Sequence, residues 1–212
     1  MKYRAYKYRL YPNKQQEVLL AKHFGCCRFI YNYALAKKVK AYQKDKTNLS
    51  RFDIQASLPK MKKSEEYKWL SEVNSLSLQA ALANLDSAFV KFFREKKGFP
   101  NFKSKKASKQ SFSIPQNTRV KFDEGRVYIP KFRKGIKARF HRKFDGLVKT
   151  SVITRTSTGK YYISILVEVN EVDAAPKPIS ENKAVGIDLG IKTFAVLSDG
   201  TEIQNHKYLK RS

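Results

Sequence analysis

The chain opens on an alternation of basic with apolar or aromatic positions, Lys2-Tyr3-Arg4-Ala5-Tyr6-Lys7-Tyr8-Arg9-Leu10. That period of two predicts a strand with one packed face and one solvated basic face, along which a phosphate backbone can lie. Pro12-Asn13 ends it. Asn13 with Gln16 three residues on is a helix start signal for the segment carrying Val18, Leu19 and Leu20, and Gly25 reads as its stop. From Cys27 onward Ile30, Tyr31, Ala34, Leu35, Val39 and Tyr42 recur at helical spacing, with Arg28, Lys37, Lys38 and Lys40 off that stripe. Two helices meeting near Gly25 make a helical hairpin, which is either a helix-turn-helix or a pair of core helices with solvated lysines.

A second helical block begins after Asn48, is interrupted by Pro59 and resumes from Ser64 to Leu70. The strongest helix comes next: Leu78, Ala81, Leu82, Leu85, Phe89 and Phe92 form one apolar face between Asn74 and Gly98, with Gly98 as the terminator. Ser75, Gln79 and Asn84 project off that face. Glutamine and asparagine bind adenine bidentately in a major groove, so this edge is either a base reader or ordinary solvated surface. Between Glu95 and Gln110 the chain becomes a basic loop, in which Lys97, Lys103, Lys105 and Lys106 are expected to contact phosphates. Phe99 and Phe102 either stack on bases or pin that loop. From Phe112 the period returns to two, predicting strands over 119–122, 126–129, 136–140, 148–155 and 160–169, the last pair joined at Ser157-Thr158-Gly159. Residues 171–183, with Pro176 and Pro178, read as a linker, and three short antiparallel strands follow over 184–189, 193–198 and 201–204.

Charge narrows the function. Lys and Arg number 44 against 18 acids, a formal net charge of +26, which implies a polyanionic partner with nucleic acid as the first choice. A hydrophobic content of 42% supplies a packed core and excludes a disordered basic tail. No apolar run approaches the ~20 residues of a membrane-spanning helix, and Met1 to Tyr11 lacks the apolar centre of a signal peptide, so no membrane partner and a cytoplasmic location are expected. Adjacent Cys26 and Cys27 supply neither the spaced pairs of a zinc site nor an unstrained bridge, and both are expected to be reduced. His23, His141 and His206 have no metal spacing and are expected at the surface or an interface.

One carboxylate stands apart. Gly186-Ile187-Asp188-Leu189-Gly190 places Asp188 in an apolar strand bounded by glycines, whose missing side chains would let a ligand approach. Two-metal phosphodiester cleavage needs several carboxylates converging on Mg²⁺ ions. After Asp188 the sequence holds only Asp199, which reads as a hairpin turn beside Gly200, and Glu202, whose face is open.

Four segments in order, Tyr8-Arg9-Leu10-Tyr11-Pro12-Asn13, Gly25 with Arg28-Phe29-Ile30-Tyr31-Asn32, Gly98-Phe99-Pro100 with Phe102-Lys103, and Gly186 to Lys192, resemble the TnpB (OrfB) family of transposon-encoded RNA-guided DNA endonucleases. The resemblance implies an α+β, multi-domain chain: a wedge-type β-barrel from residues 1–12 and 112–170, a helical recognition lobe inserted over 13–111, the linker, and the first three strands of an incomplete RuvC-like (RNase H fold) domain over 184–212. It implies that Asp188 is the first catalytic carboxylate and a Mg²⁺ ligand. It further implies that Phe52, Ser75, Leu76, Gln79 and Ser113 read a short transposon-adjacent DNA motif. Guide RNA from the transposon end and target double-stranded DNA are the implied partners, with Arg4, Lys7 and Arg9 joining the loop lysines on the nucleic-acid backbone.

The sequence departs from the family pattern in lacking the later glutamate, the CxxC…CxxC zinc ribbon and the final aspartate. Mg²⁺ is thus expected for the complete family enzyme, zinc is not expected in this portion, and cleavage is not expected from this chain alone. The strand bearing Asp188 should keep an unpaired edge, which a C-terminal polypeptide would complete. Two other readings are a nuclease-free nucleic-acid-binding regulator and a fragment of an actin-like ATPase.

Overall fold

The computed structural model describes residues 2–106, 109–170, 180 and 184–207. It divides into two units, Met1–Glu171 and Val172–Ser212. The linker expected over 171–183 lies outside the described residues, apart from Ser180.

In the first unit, seven strands form one antiparallel sheet: β1 (Lys2–Tyr11), β2 (Gln110–Ile114), β3 (Arg119–Lys121), β4 (Arg126–Tyr128), β5 (Ile136–Arg139), β6 (Leu147–Arg155) and β7 (Tyr161–Val169), in the order β2-β6-β7-β1-β5-β4-β3. Every strand predicted by alternation is present, with boundaries moved by a residue or two. Register makes one apolar face continuous. Tyr8 sits opposite Ile163, which sits opposite Ile153, which sits opposite Phe112, and all four are buried. Aromatic rings cover the β1 end of that face: Tyr8 lies 4.9 Å from Phe140, and Tyr6 lies 5.0 Å from Phe144. Burial pushes the Tyr8 hydroxyl up to about 12, and it donates to the Arg142 carbonyl at 3.0 Å. Strands β2 and β3 are the sheet edges, and no β2–β3 ladder closes the sheet among the described residues.

Three helices, α1 (Lys14–Asp45), α2 (Arg51–Lys63) and α3 (Ser75–Glu95), with a 3₁₀ helix over Glu65–Glu72, lie between β1 and β2 in sequence. The predicted hairpin at Gly25 is absent: α1 runs unbroken for 32 residues from a complete Asn13–Gln16 capping box. A mid-helix glycine costs about 1 kcal/mol. Burying Phe24 and Ile30 on either side of it returns about 1.5–3 kcal/mol each. Pro59 likewise sits inside α2 instead of interrupting it. At the end of α3 the left-handed position belongs to Lys96 (φ 52°), ahead of the expected Gly98.

His23 corrects the surface expectation most clearly, being only 1% exposed. Its ring stacks on Phe112 at 5.1 Å, its Nδ1 bonds to the Leu19 carbonyl at 2.8 Å, and its Nε2 accepts the Asn74 backbone N–H at 3.2 Å. One nitrogen donates and the other accepts, so the ring is held neutral, and burial lowers its pKa below the ordinary 6.5. Because the folded value is depressed for a base, the associated stability is complete above the ordinary histidine range and is lost as pH falls through it. The melting temperature is therefore expected to drop between pH 7.5 and 5.5, and to drop less in His23→Gln. Equal slopes for parent and variant would refute this assignment. Cys26 and Cys27 are free thiols, raised by burial to about 11 and about 12.

The second unit contains β8 (Ile187–Leu189), β9 (Thr193–Leu197) and β10 (Glu202–Gln204), antiparallel in the order β10-β9-β8. The three predicted strands are thus present. Asp199 makes the predicted turn, its Oδ1 accepting the Thr201 N–H at 2.9 Å.

Candidate nucleic-acid interface

One groove lies between α2 and α3. A Ser50–Asp53 capping box starts α2, whose Ile54, Leu58 and Met61 turn into the core. Helix α3 starts where the Asn74 side chain accepts the Leu76 N–H at 3.3 Å, which sets Ser75 and Gln79 one turn apart at the helix edge. Phe52, Gln55, Lys62, Ser75 and Gln79 then line a single groove, with Lys62 Nζ donating to Ser75 Oγ at 2.6 Å. Burial, with the nearby Lys131 charge, lowers the pKa of Lys62. An apolar ring, two carboxamides and an ammonium in one groove suit base edges with an adjacent phosphate. Three of the five expected motif readers, Phe52, Ser75 and Gln79, are therefore together. Leu76 is half-buried and outside that lining. Ser113 sits on β2 in a second groove, with Arg28, Asn84, Phe102, Lys103 and Lys109.

Around β1 the sheet presents its other face outward. Arg9 sits opposite Arg139 and Tyr162, Tyr11 sits opposite Lys137, and Lys137 sits opposite Arg126, which sits opposite Lys121. Directly opposed residues share a face, so Lys7, Arg9, Arg119, Arg126, Lys137 and Arg139 belong to one basic surface, on which Lys121 is paired with Glu124 at 2.6 Å. Arg4 does not join them. It has the same parity as buried Tyr6, Tyr8 and Leu10, because the alternation in β1 changes phase at Ala5-Tyr6. The cations of β3, β4 and β5 were missed in the sequence, although Arg119-Val120-Lys121, Arg126-Val127-Tyr128 and Ile136-Lys137-Ala138-Arg139 carry the same alternation as β1.

The loop lysines split. Lys97 pairs with Glu95 at 2.9 Å, which offsets its charge, whereas Lys103 keeps its charge with Nζ 4.1 Å from the Tyr31 ring centroid. Asn32 fixes that loop by donating to the Lys103 carbonyl at 3.0 Å and accepting the Lys103 N–H at 2.8 Å. Lys105 and Lys106 lie in an exposed turn. Phe99 pins the loop edge-on to Phe92 at 5.3 Å, whereas Phe102 is 61% exposed.

In the second unit Asp188 sits opposite Val196, and Val196 sits opposite Glu202, so both carboxylates are on one face with a strand between them. Two strand spacings separate their backbones by roughly 9–10 Å. Among the described residues β8 is paired on one side only, which is the unpaired edge expected of the strand that carries Asp188. A side chain at Gly190 would meet the Thr193 carbonyl oxygen at 2.8 Å. Gly190 thus serves the tight β8–β9 turn, not the ligand approach expected of it.

A family model described as a helix-turn-helix domain, of the OrfB_IS605 type, matches residues 1–47. In this structure that span holds β1 and an unbroken α1 up to Asp45, with no turn between two helices. A Streptomyces pristinaespiralis protein named as an RNA-guided DNA endonuclease is 36% identical over 210 residues, covering 98% of this chain and 51% of that protein. InsQ of Escherichia coli K12, with the same description, is 34% identical over 197 residues, covering 93% of this chain and 48% of its own length. The chain belongs to the TnpB family.

It spans about half the length of the curated TnpB relatives it matches. A Cas12f1 chain from a complex with sgRNA and target DNA aligns over 100% of this TnpB chain and 59% of its own, at 15% identity and a TM-score of 0.39, too loose a superposition to bear on fold or function. No group of three or more His, Cys, Asp or Glu side chains suited to a metal ion exists among the described residues. Asp188 and Glu202, a strand apart, do not by themselves fit the Mg²⁺ site that the family implies. Among the described residues no helix is long and apolar enough to cross a membrane.

Proposed function

We propose that this TnpB chain is the guide-RNA-binding and DNA-binding part of a transposon-associated RNA-guided DNA endonuclease. The α2–α3 groove reads the transposon-adjacent motif, and the basic face of β1, β5, β4 and β3 holds nucleic-acid backbone. The seven-stranded sheet stands for the wedge-type barrel, α1–α3 for the recognition lobe, and β8–β10 for the first strands of a RuvC-like domain, with Asp188 its first carboxylate. The unpaired side of β8 is where a further strand would join. No cleavage step is assigned to the described residues, since none brings a second carboxylate up to Asp188.

The observation that carries this reading is the convergence of Phe52, Ser75, Gln79 and Lys62 on one groove in a chain of net charge +26. Selection from a randomised duplex library by the chain loaded with transposon-end RNA tests it. Gln79→Ala is expected to relax preference at one base pair by about 1–3 kcal/mol, whereas Lys7→Ala weakens all sequences alike. An unaltered base preference in Gln79→Ala removes the motif-reading assignment.

A further inference from the structure

Between the end of α1 and the end of α3 lies a second kind of surface, an open groove of about 920 Å³ lined by Tyr42, Phe52, Phe89, Phe93 and Phe99. That volume is in the range of small-ligand sites. Its rings face water to an unusual degree: Phe93 is 73% exposed, Phe52 65% and Tyr42 56%. Cations already lie against them. The Arg51 guanidinium is 4.7 Å from the Phe52 centroid, Lys46 Nζ is 4.9 Å from Tyr42, and Lys38 Nζ is 5.5 Å from Phe89. Asp86, the one acid in the lining, is engaged by Lys38 at 3.3 Å and by Arg51 at 3.8 Å. The Arg51 Nε has no hydrogen-bond partner among the described residues.

We propose that this groove takes the unpaired bases of a single-stranded stretch of RNA or DNA, with Phe93 and Tyr42 as stacking platforms and Arg51 and Lys46 on the adjoining phosphates. Exposed rings interleaved with cations are the combination that single strands use, because every base offers a π-face and every linkage an anion. Charge complementarity selects this occupant over a second copy of the chain, which carries the same formal net charge of +26. The assignment rests on the nucleic-acid reading above, but it concerns unpaired strand, not the motif duplex, and its platforms Phe93 and Tyr42 lie outside the α2–α3 groove.

The test is binding of the whole chain to a fluorescent twelve-nucleotide single strand, to an abasic strand with the same phosphates, and to a motif-bearing duplex, each as RNA or DNA where chemistry allows. Phe93→Ala, at an exposed ring whose loss leaves the core intact, is expected to weaken the base-bearing strand about tenfold. The abasic strand and the duplex should bind it as they bind the parent, and Phe93→Tyr should restore parental affinity. Tyr42→Ala is expected to act in the same direction. Equal affinities of parent and Phe93→Ala for the base-bearing strand, beside salt-sensitive binding by both, overturn this proposal and leave the nucleic-acid reading standing. No binding of any strand or duplex by the parent overturns both. Sedimentation that shows a parental dimer converted to monomer by Phe93→Ala overturns it in favour of self-association.

Discussion

Raising monovalent salt from 50 to 200 mM is expected to weaken duplex binding by this chain about 10³- to 10⁵-fold, the loss that accompanies six to ten phosphate contacts. The six cations gathered on the outer face of β1, β5, β4 and β3 are enough for a footprint of that size. Each contact contributes about 0.9 to the slope of log affinity against log salt, so joint replacement of Lys7, Arg9, Lys137 and Arg139 by alanine should flatten the slope by about 3 to 4. Arg4→Ala, on the opposite parity of the same strand, serves as the comparison and should change the slope far less. Titrations at four salt concentrations for the three proteins decide the matter. A shallow parental slope, or one that survives the fourfold replacement, places the contact surface elsewhere.

Phe112→Ala is expected to destabilise the first unit by about 3–5 kcal/mol, the range for emptying an aromatic site in a close-packed core. Phe112 is 3% exposed on β2, with His23 stacked at 5.1 Å and Phe24 edge-on at 5.1 Å. It is where α1 meets the sheet, so its loss removes packing from both layers at once. Chemical denaturation followed by far-ultraviolet dichroism reads the effect as a lower midpoint. By comparison Phe102→Ala, at a largely exposed ring, should stay within about 0.5 kcal/mol of the parent. Near-equal midpoints for the two variants would mean that the helices and the sheet are held together by something other than this contact.

The strands were legible because alternation is a local signal. Tyr161, Ile163, Ile165, Val167 and Val169 are all buried in β7, as their spacing requires. Asn13–Gln16 marked a helix start for the same reason, since a cap acts within one turn. Gly25, Pro59 and Gly98 misled because each is a local preference worth a kcal/mol or a few, set against burial contributed by residues far away in sequence. His23 was unreadable for a related cause: its partners are Asn74 and Phe112, remote along the chain. In the candidate site, Ser75 and Gln79 stood on a polar helix edge legible from periodicity, Phe52 came from the family resemblance, and only the fold brought the three together. Parity alone would have separated Arg4 from Lys7 and Arg9, and that signal was present in the first ten residues.

The unbroken α1 has one more consequence. Arg28 lines the groove near β2 and Tyr42 lines the aromatic groove, and both stand on this single stiff rod. Fourteen residues at 1.5 Å each set them about 21 Å apart along its axis, roughly six nucleotide steps at 3.4 Å. A polynucleotide touching both places would be metered, its two points of attachment held at a gauge set by the helix itself.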